Sequence, residues 1–316
     1  MQFLSHIFYQ RYMYKVHFIL LTILLYAIGI SYTYSQGCSD AGFCTINSFK
    51  PIFSDSTQPA DRQFKVGTFF GTADNSISVY GTYLEFNTQL KKKFGIDAKI
   101  TSLAQNGNDI STFGVSDLFI NANYKVSESV KLTIGSKIPL SDASRTYKNL
   151  PLPMDYQASL GTFDLIFGIW YQISKIQFVA AIQQPLTQNN NQFLATNYPI
   201  NAELRTFQST NKFQRSGDVL IRVSYALPIN SKLTFTPSIL PIYHLKNDQF
   251  TDEFNVKREI KGSQGLTLNG NAYLDYQINR RNAIQLNVGF PFIVRDVRPD
   301  GLTRGFIANL EYRIHF

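Results

Sequence analysis

Residues 305–316 read G-F-I-A-N-L-E-Y-R-I-H-F, and this alternation constrains the chain more than any other feature. In a strand successive side chains point to opposite faces. Phe306, Ala308, Leu310, Tyr312, Ile314 and Phe316 then share one apolar face. Ile307, Asn309, Glu311, Arg313 and His315 share the other, which is mostly polar. Such a strand needs an apolar phase on one side and a polar environment on the other.

The same pattern recurs along most of the chain. About twelve strand-like segments fall at 63–72, 78–91, 96–105, 115–126, 130–140, 162–173, 176–186, 217–227, 232–242, 265–278, 282–293 and 305–316. Most approach the 9–11 residues that a tilted strand needs to cross a bilayer. Short connections, such as Lys92–Gly95, Ser127–Ser129, Ser174–Lys175, Pro228–Ser231 and Asn279–Arg281, alternate with mostly longer ones, the longest at 141–161, 187–216 and 243–264. This predicts an all-β fold: an antiparallel transmembrane β-barrel of about 12 strands with short periplasmic turns and long extracellular loops. No later segment has eighteen consecutive apolar residues, so no transmembrane helix is expected beyond the N-terminal run.

That run, Val16–Ile30, has the length of a signal-peptide core and follows Arg11 and Lys15. We expect residues 1–35 to be a cleaved signal, with Met13 an alternative start, residues 36–62 an N-terminal periplasmic segment or lumen plug, and residues 63–316 the barrel. An uncleaved anchor helix is the rival reading of the run. Removing Arg11 and Lys15 leaves 28 basic against 22 acidic residues, a net +6. The basic residues are scattered and form no basic helix, which disfavours nucleic acid. Anionic lipopolysaccharide is the better partner for basic outer loops. Cys38 and Cys44, the two cysteines, are expected to form a local disulfide in an oxidising periplasm; two free thiols are the alternative.

An internal repeat orients the strands. Asp117 precedes Tyr124, Asp164 precedes Tyr171 and Asp218 precedes Tyr225, each by seven residues. The odd spacing puts each pair on opposite faces. The tyrosines share the apolar face and are expected near the periplasmic interface, with Tyr276 and Tyr312; a phenol suits that boundary. The aspartates then face the lumen near the outer rim. By the same parity the lumen is lined by Asp117, Asp164, Trp170, Asp218, Arg222, Asp275, Glu311 and Arg313. Pro139, Pro185, Pro241 and Pro291 recur near strand ends, where a missing backbone donor is tolerated.

The last strand resembles the C-terminal recognition strand of bacterial outer-membrane barrels, which implies that Tyr312, Ile314 and Phe316 are read by the barrel-assembly machinery. The segments G-V-S-D-L-F-I-N-A-N-Y-K-V from Gly114, K-L-T-I-G-S-K-I-P-L from Lys131 and G-T-F-D-L-I-F-G-I-W-Y-Q-I from Gly161 resemble the outer-membrane family associated with meta-pathway phenol degradation, broadly akin to the long-chain fatty-acid transporter barrels. That resemblance covers roughly residues 62–316 and implies a barrel with small apolar or aromatic cargo. It does not extend to 38–62, nor is there an N-P-A hatch motif.

An enzyme is not expected. Beyond the signal the histidines are His244 and His315, and neither stands in H-x-S; no G-x-S-x-G, H-E-x-x-H or phosphate loop occurs. No cofactor or metal is implied. The expected function is a passive outer-membrane channel for small solutes in a Gram-negative bacterium. The alternative is a closed structural or binding barrel whose loops contact surface glycolipid or a protein partner.

Overall fold

Alternation of apolar and polar residues lets a sheet close on itself, with one set of side chains out and the other in. In the computed structural model, which describes residues 45–51, 62–301 and 305–316, this happens. The signal segment, Cys38 and Cys44 lie outside the described residues. Twelve antiparallel strands form the wall: β1 Arg62–Thr72, β2 Ser78–Lys91, β3 Phe94–Gly107, β4 Ile110–Ser127, β5 Val130–Pro139, β6 Asp164–Ile173, β7 Ile176–Pro185, β8 Asp218–Tyr225, β9 Leu233–His244, β10 Gly265–Gln277, β11 Asn282–Ile293 and β12 Ile307–His315. Each pairs with its sequence neighbour. Pairing of β12 with β1, from Gln63↔His315 to Gly71↔Ile307, closes the barrel and leaves no free edge.

One end carries the short turns Lys92–Lys93, Glu128–Ser129 and Ser174–Lys175. The other carries the connections 140–163, 186–217, 245–264 and 294–306. Two hairpins at this loop end are nevertheless tight. Asn108 and Asp109, at φ 52° and 57°, make the two-residue turn between β3 and β4. β2, β3 and β4 are long, at 14, 14 and 18 residues, and their inner faces rise as a wall on one side of the loop end. Connections 140–163 and 186–217 fold against that wall. Phe69, Ile77, Leu103 and Ile110 pack there with Leu152, Tyr156, Phe193, Leu204 and Phe207 in one buried cluster. Burial pushes the Tyr156 phenol up to about 12; its hydroxyl donates to Gly107 O at 2.9 Å.

The outer surface is apolar around the whole circumference. Val66, Leu84, Ile120, Ile134, Phe167, Ile221, Leu286 and Leu310 are all exposed there. An exposed face of this extent is stable only against an apolar phase. Tyr124, Tyr171, Tyr225, Tyr276 and Tyr312 are exposed on this face toward the short-turn end, joined by Phe94, Phe178 and Phe316. A second aromatic band, Phe70, Tyr80, Phe290 and Phe292, lies toward the loop end. Two such bands flanking an aliphatic belt match the interfaces of a bilayer. Pro139 and Pro185 terminate their strands. Pro241 lies three residues inside the end of β9, and Pro291 lies two inside that of β11, beside the bulge at Leu268/Asn269.

Inside, aromatic rings lie over glycines on neighbouring strands. Gly81 opposes Phe69, and Gly67 opposes Tyr83; an added Cβ would come within 2.0 Å of the Phe69 ring and 2.1 Å of the Tyr83 ring. We expect Gly67→Val to destabilise the folded barrel by about 1–3 kcal/mol through overpacking, read as a lower denaturant midpoint in detergent micelles. An unchanged midpoint would mean that Tyr83 swings freely out of the way.

Candidate functional site: a barrel lumen occupied by an N-terminal segment

A narrow barrel that turns charged residues inward must pair them, because an uncompensated buried charge costs several kcal/mol. Inward residues near the short-turn half form one chain of pairs. Lys65 Nζ lies 3.0 Å from Glu85 Oε1. Asn87 donates to Glu85 at 3.0 Å and to Asp97 at 2.7 Å. Across the β1–β12 seam, Tyr83 Oη donates to Glu311 Oε2 at 2.6 Å. Arg313 bonds both Glu311 (2.5 Å) and Asp275 (2.9 Å), and Gln285 adds a bond to Asp275 at 2.9 Å. The Lys99 ammonium sits 4.1 Å from the Tyr83 ring centroid.

Residues Thr45–Pro51, which precede β1, run through this network. Their short 3₁₀ turn at Asn47–Phe49 gives successive side chains different directions, so seven residues reach several strands. Lys99 Nζ donates to Thr45 Oγ1 at 3.0 Å. Lys65 Nζ donates to Asn47 Oδ1 at 2.6 Å. The Ser48 hydroxyl donates to Asp97 Oδ2 at 2.5 Å and lies 2.7 Å from Asn123 Oδ1. Lys50 Nζ meets Glu311 Oε2 at 2.9 Å, and Arg222 donates to the Phe49 carbonyl. Ile46 and Phe49 are buried against Phe119, Ile166, Trp170, Val179, Leu220 and Leu240. Phe49 fits because position 168 is glycine: a Cβ there would lie 2.3 Å from its ring. The segment is thus bonded to opposite sides of the barrel wall.

A second polar cluster lies toward the loop end. Asp164 pairs with Lys137 at 3.0 Å and accepts from Gln183. Asp117 sits in a bulge of β4, where the β3 register shifts between Ile100 and Ser102, and accepts from Ser159 at 2.6 Å. Asp218 binds Arg215 and His244 Nδ1 (2.7 Å), while His244 Nε2 meets Asp248 Oδ1 at 2.8 Å. Both ring nitrogens of His244 are therefore engaged by carboxylates rather than by a serine. Asp300, in the last long loop, bonds Arg295 at 2.9 Å and lies 3.5 Å from Arg215. These contacts tie three loops to the wall.

The eight inward residues named from the sequence thus divide. Trp170, Arg222, Asp275, Glu311 and Arg313 stand around the N-terminal segment, whereas Asp117, Asp164 and Asp218 anchor loops. Asp117 and Asp164 have separate partners and are not bonded to one another. Tyr312, Ile314 and Phe316 lie along the outward side of the last strand and its end. Lys65, Tyr83, Glu85, Asp97 and Lys99 also face the interior and are not among the residues named from the sequence. Strand parity would have placed them inward, but no motif marks them. Beneath the segment, toward the short turns, lie cavities of about 620 and 270 Å³. A third concavity of about 660 Å³, lined by Phe94, Tyr124, Leu132 and Phe167, lies on the outer apolar face.

This architecture defines a class: a closed, antiparallel twelve-stranded barrel of the outer-membrane type. No family model and no curated relative matches the sequence. Solved structures do. An outer membrane channel from Pseudomonas putida F1 aligns over 84% of this chain and 100% of its own, with TM-score 0.60 and 12% identity. The NanC porin aligns over 81% and 98% at TM-score 0.44 and 12% identity. The toluene transporter TodX of Pseudomonas putida aligns over 88% and 94% at TM-score 0.41 and 10% identity. At these identities the likeness is one of fold.

The loop lock also carries a pH expectation. Burial pushes Asp300 up, but Arg295 and Arg215 outweigh it and hold the carboxyl well below the usual carboxylate range. A depressed folded value gives stability that is present above the unfolded value and lost only as pH falls through the folded one. The loop should therefore stay protected from proteolysis at about pH 4, where free carboxylates begin to protonate. Asp300→Asn should be cleaved faster at pH 4 and at pH 7. Loss of protection in the native chain at pH 4 would contradict this lock.

Proposed function

We propose that the chain is a passive channel of the Gram-negative outer membrane, closed at rest by the segment before β1, for small solutes that include apolar or aromatic ones. On this reading residues 1–35 are a cleaved signal, 36–62 a plug and 63–316 the barrel. The short turns face the periplasm. The long loops meet lipopolysaccharide, and Tyr312, Ile314 and Phe316 serve the assembly machinery. A Cys38–Cys44 disulfide would tighten the start of the plug.

The observation that carries the proposal is the seating of Thr45–Pro51 on polar side chains of β1, β3, β4, β8 and β12 inside the barrel. A permanently filled core would be expected to use apolar contacts throughout. Here most of the polar anchors are ion pairs and hydrogen bonds that water can replace one by one. Inward on β9–β11, Thr236, Ser238, Asn269, Asn271 and Asn287 carry buried side-chain oxygens with no hydrogen-bond partner among the described residues, groups open to bonding by a permeating molecule. The aromatic cargo follows from the family resemblance, not from a lumen motif.

In planar bilayers, deleting residues 36–58 should raise single-channel conductance several-fold without preventing insertion. Equal conductance in an inserted deletion variant would reject the plug and favour the closed, loop-binding barrel. Removing Phe316 should reduce outer-membrane insertion in cells; unimpaired insertion would remove the terminal strand's role as an assembly signal.

A further inference from the structure

The two cavities beneath the plug share four lining residues: Asn47, Gln63, Lys131 and His315. Gln63 and His315 sit on the β1–β12 seam and bond each other at 3.0 Å. Asn47 belongs to the plug. Lys131 opens β5, where it stands opposite both Lys125 of β4 and Trp170 of β6. It is the one residue of the four with a fixed charge.

The neighbouring buried charges are already matched; Lys92, Lys93 and Lys232, which also border the cavities, are exposed at the short-turn end. Lys50 pairs with Glu311, Lys65 with Glu85, Lys125 with Glu128 at 2.5 Å, and Asp275 with Arg313. Asp97 is occupied by Ser48, Asn87 and Asn123. Among the described residues Lys131 makes no ion pair; its ammonium lies 4.6 Å from the centroid of the Trp170 ring. A half-buried ammonium resting on an indole, with no carboxylate partner, leaves one positive charge directed at a chamber large enough for a small organic molecule.

We propose that Lys131 is the anion-binding subsite of this chamber and that it receives small organic monocarboxylates. The one half-buried unmatched ammonium balances one negative charge. The amides of Asn47 and Gln63 border the same space and suit a carboxylate's additional lone pairs. Cavities of about 620 and 270 Å³ leave room beside that ammonium for a carboxylate bearing a small hydrocarbon body. The proposal rests on the channel reading and gives its solute a charged head, but binding is measured apart from conduction.

Trp170 is the chain's only tryptophan and supplies the reporter. Purified full-length protein in detergent micelles is excited at the red edge of the indole band and titrated with sodium cyclohexanecarboxylate, and separately with cyclohexylmethanol. Saturable change in indole emission is expected with the carboxylate and not with the alcohol. Lys131→Met should abolish it, Lys131→Arg should keep it, and Lys175→Met, in an exposed turn, should leave it intact. No saturable response in the native protein would overturn the proposal, as would an equal response in Lys131→Met or to the alcohol. A failure to conduct in bilayers, with this binding intact, would instead count against the channel.

Discussion

The pairing of Glu311 organises the lumen. Its carboxylate is fully buried and receives Lys50 from the N-terminal segment, Tyr83 from β2 and Arg313 from its own strand. Arg313 then holds Asp275 on β10. One acidic side chain therefore links the N-terminal segment, the closing seam and the far wall. In a medium where each isolated charge would cost several kcal/mol, this group cannot be satisfied by its own strand alone. The lysine it needs comes from outside the barrel sequence, which is why the segment before β1 belongs inside. Arg222, reaching the Phe49 carbonyl from β8, completes the clasp from the opposite side.

This arrangement divides the interior into two regimes. Toward the loops, carboxylates such as Asp117, Asp164 and Asp218 are bonded to loop and rim groups, and an apolar cluster seals the space above the tall β2–β4 wall. Toward the short turns, cavities remain and Lys131 has no ion-pair partner among the described residues. The molecule is tightly packed at one end and open to small polar groups at the other. A segment held mainly by exchangeable polar contacts lies between them.

The barrel was legible because its cause is local. Phe306, Ala308, Leu310 and Tyr312 alternate with Ile307, Asn309, Glu311 and Arg313, and a two-residue period says which face is apolar before any partner strand is known. The tyrosines at 124, 171, 225 and 276 follow from that parity. The site was legible only in part. Parity put Trp170, Arg222 and Glu311 inward, but their partners depend on which strands become neighbours and on the height at which they meet. Lys65 and Glu85, or Lys99 and Thr45, are brought together by closure and by a seven-residue segment with no period of its own. The bulge at Ser116–Asp117 is a similar case: nothing in G-V-S-D-L marks the extra residue that turns both side chains inward.

The most direct test is the solvent accessibility of position 49. In a Cys38→Ser/Cys44→Ser background, Phe49→Cys is labelled in the purified, folded barrel with a bulky water-soluble maleimide, and the rate is compared with that of the denatured chain. A second measurement adds Glu311→Gln. If the segment is clasped in the lumen by the Glu311 network, the thiol is strongly protected in the first protein and becomes markedly more reactive in the second. Labelling of the folded Phe49→Cys protein as fast as the denatured chain would show that the segment lies outside the barrel, and would contradict the account.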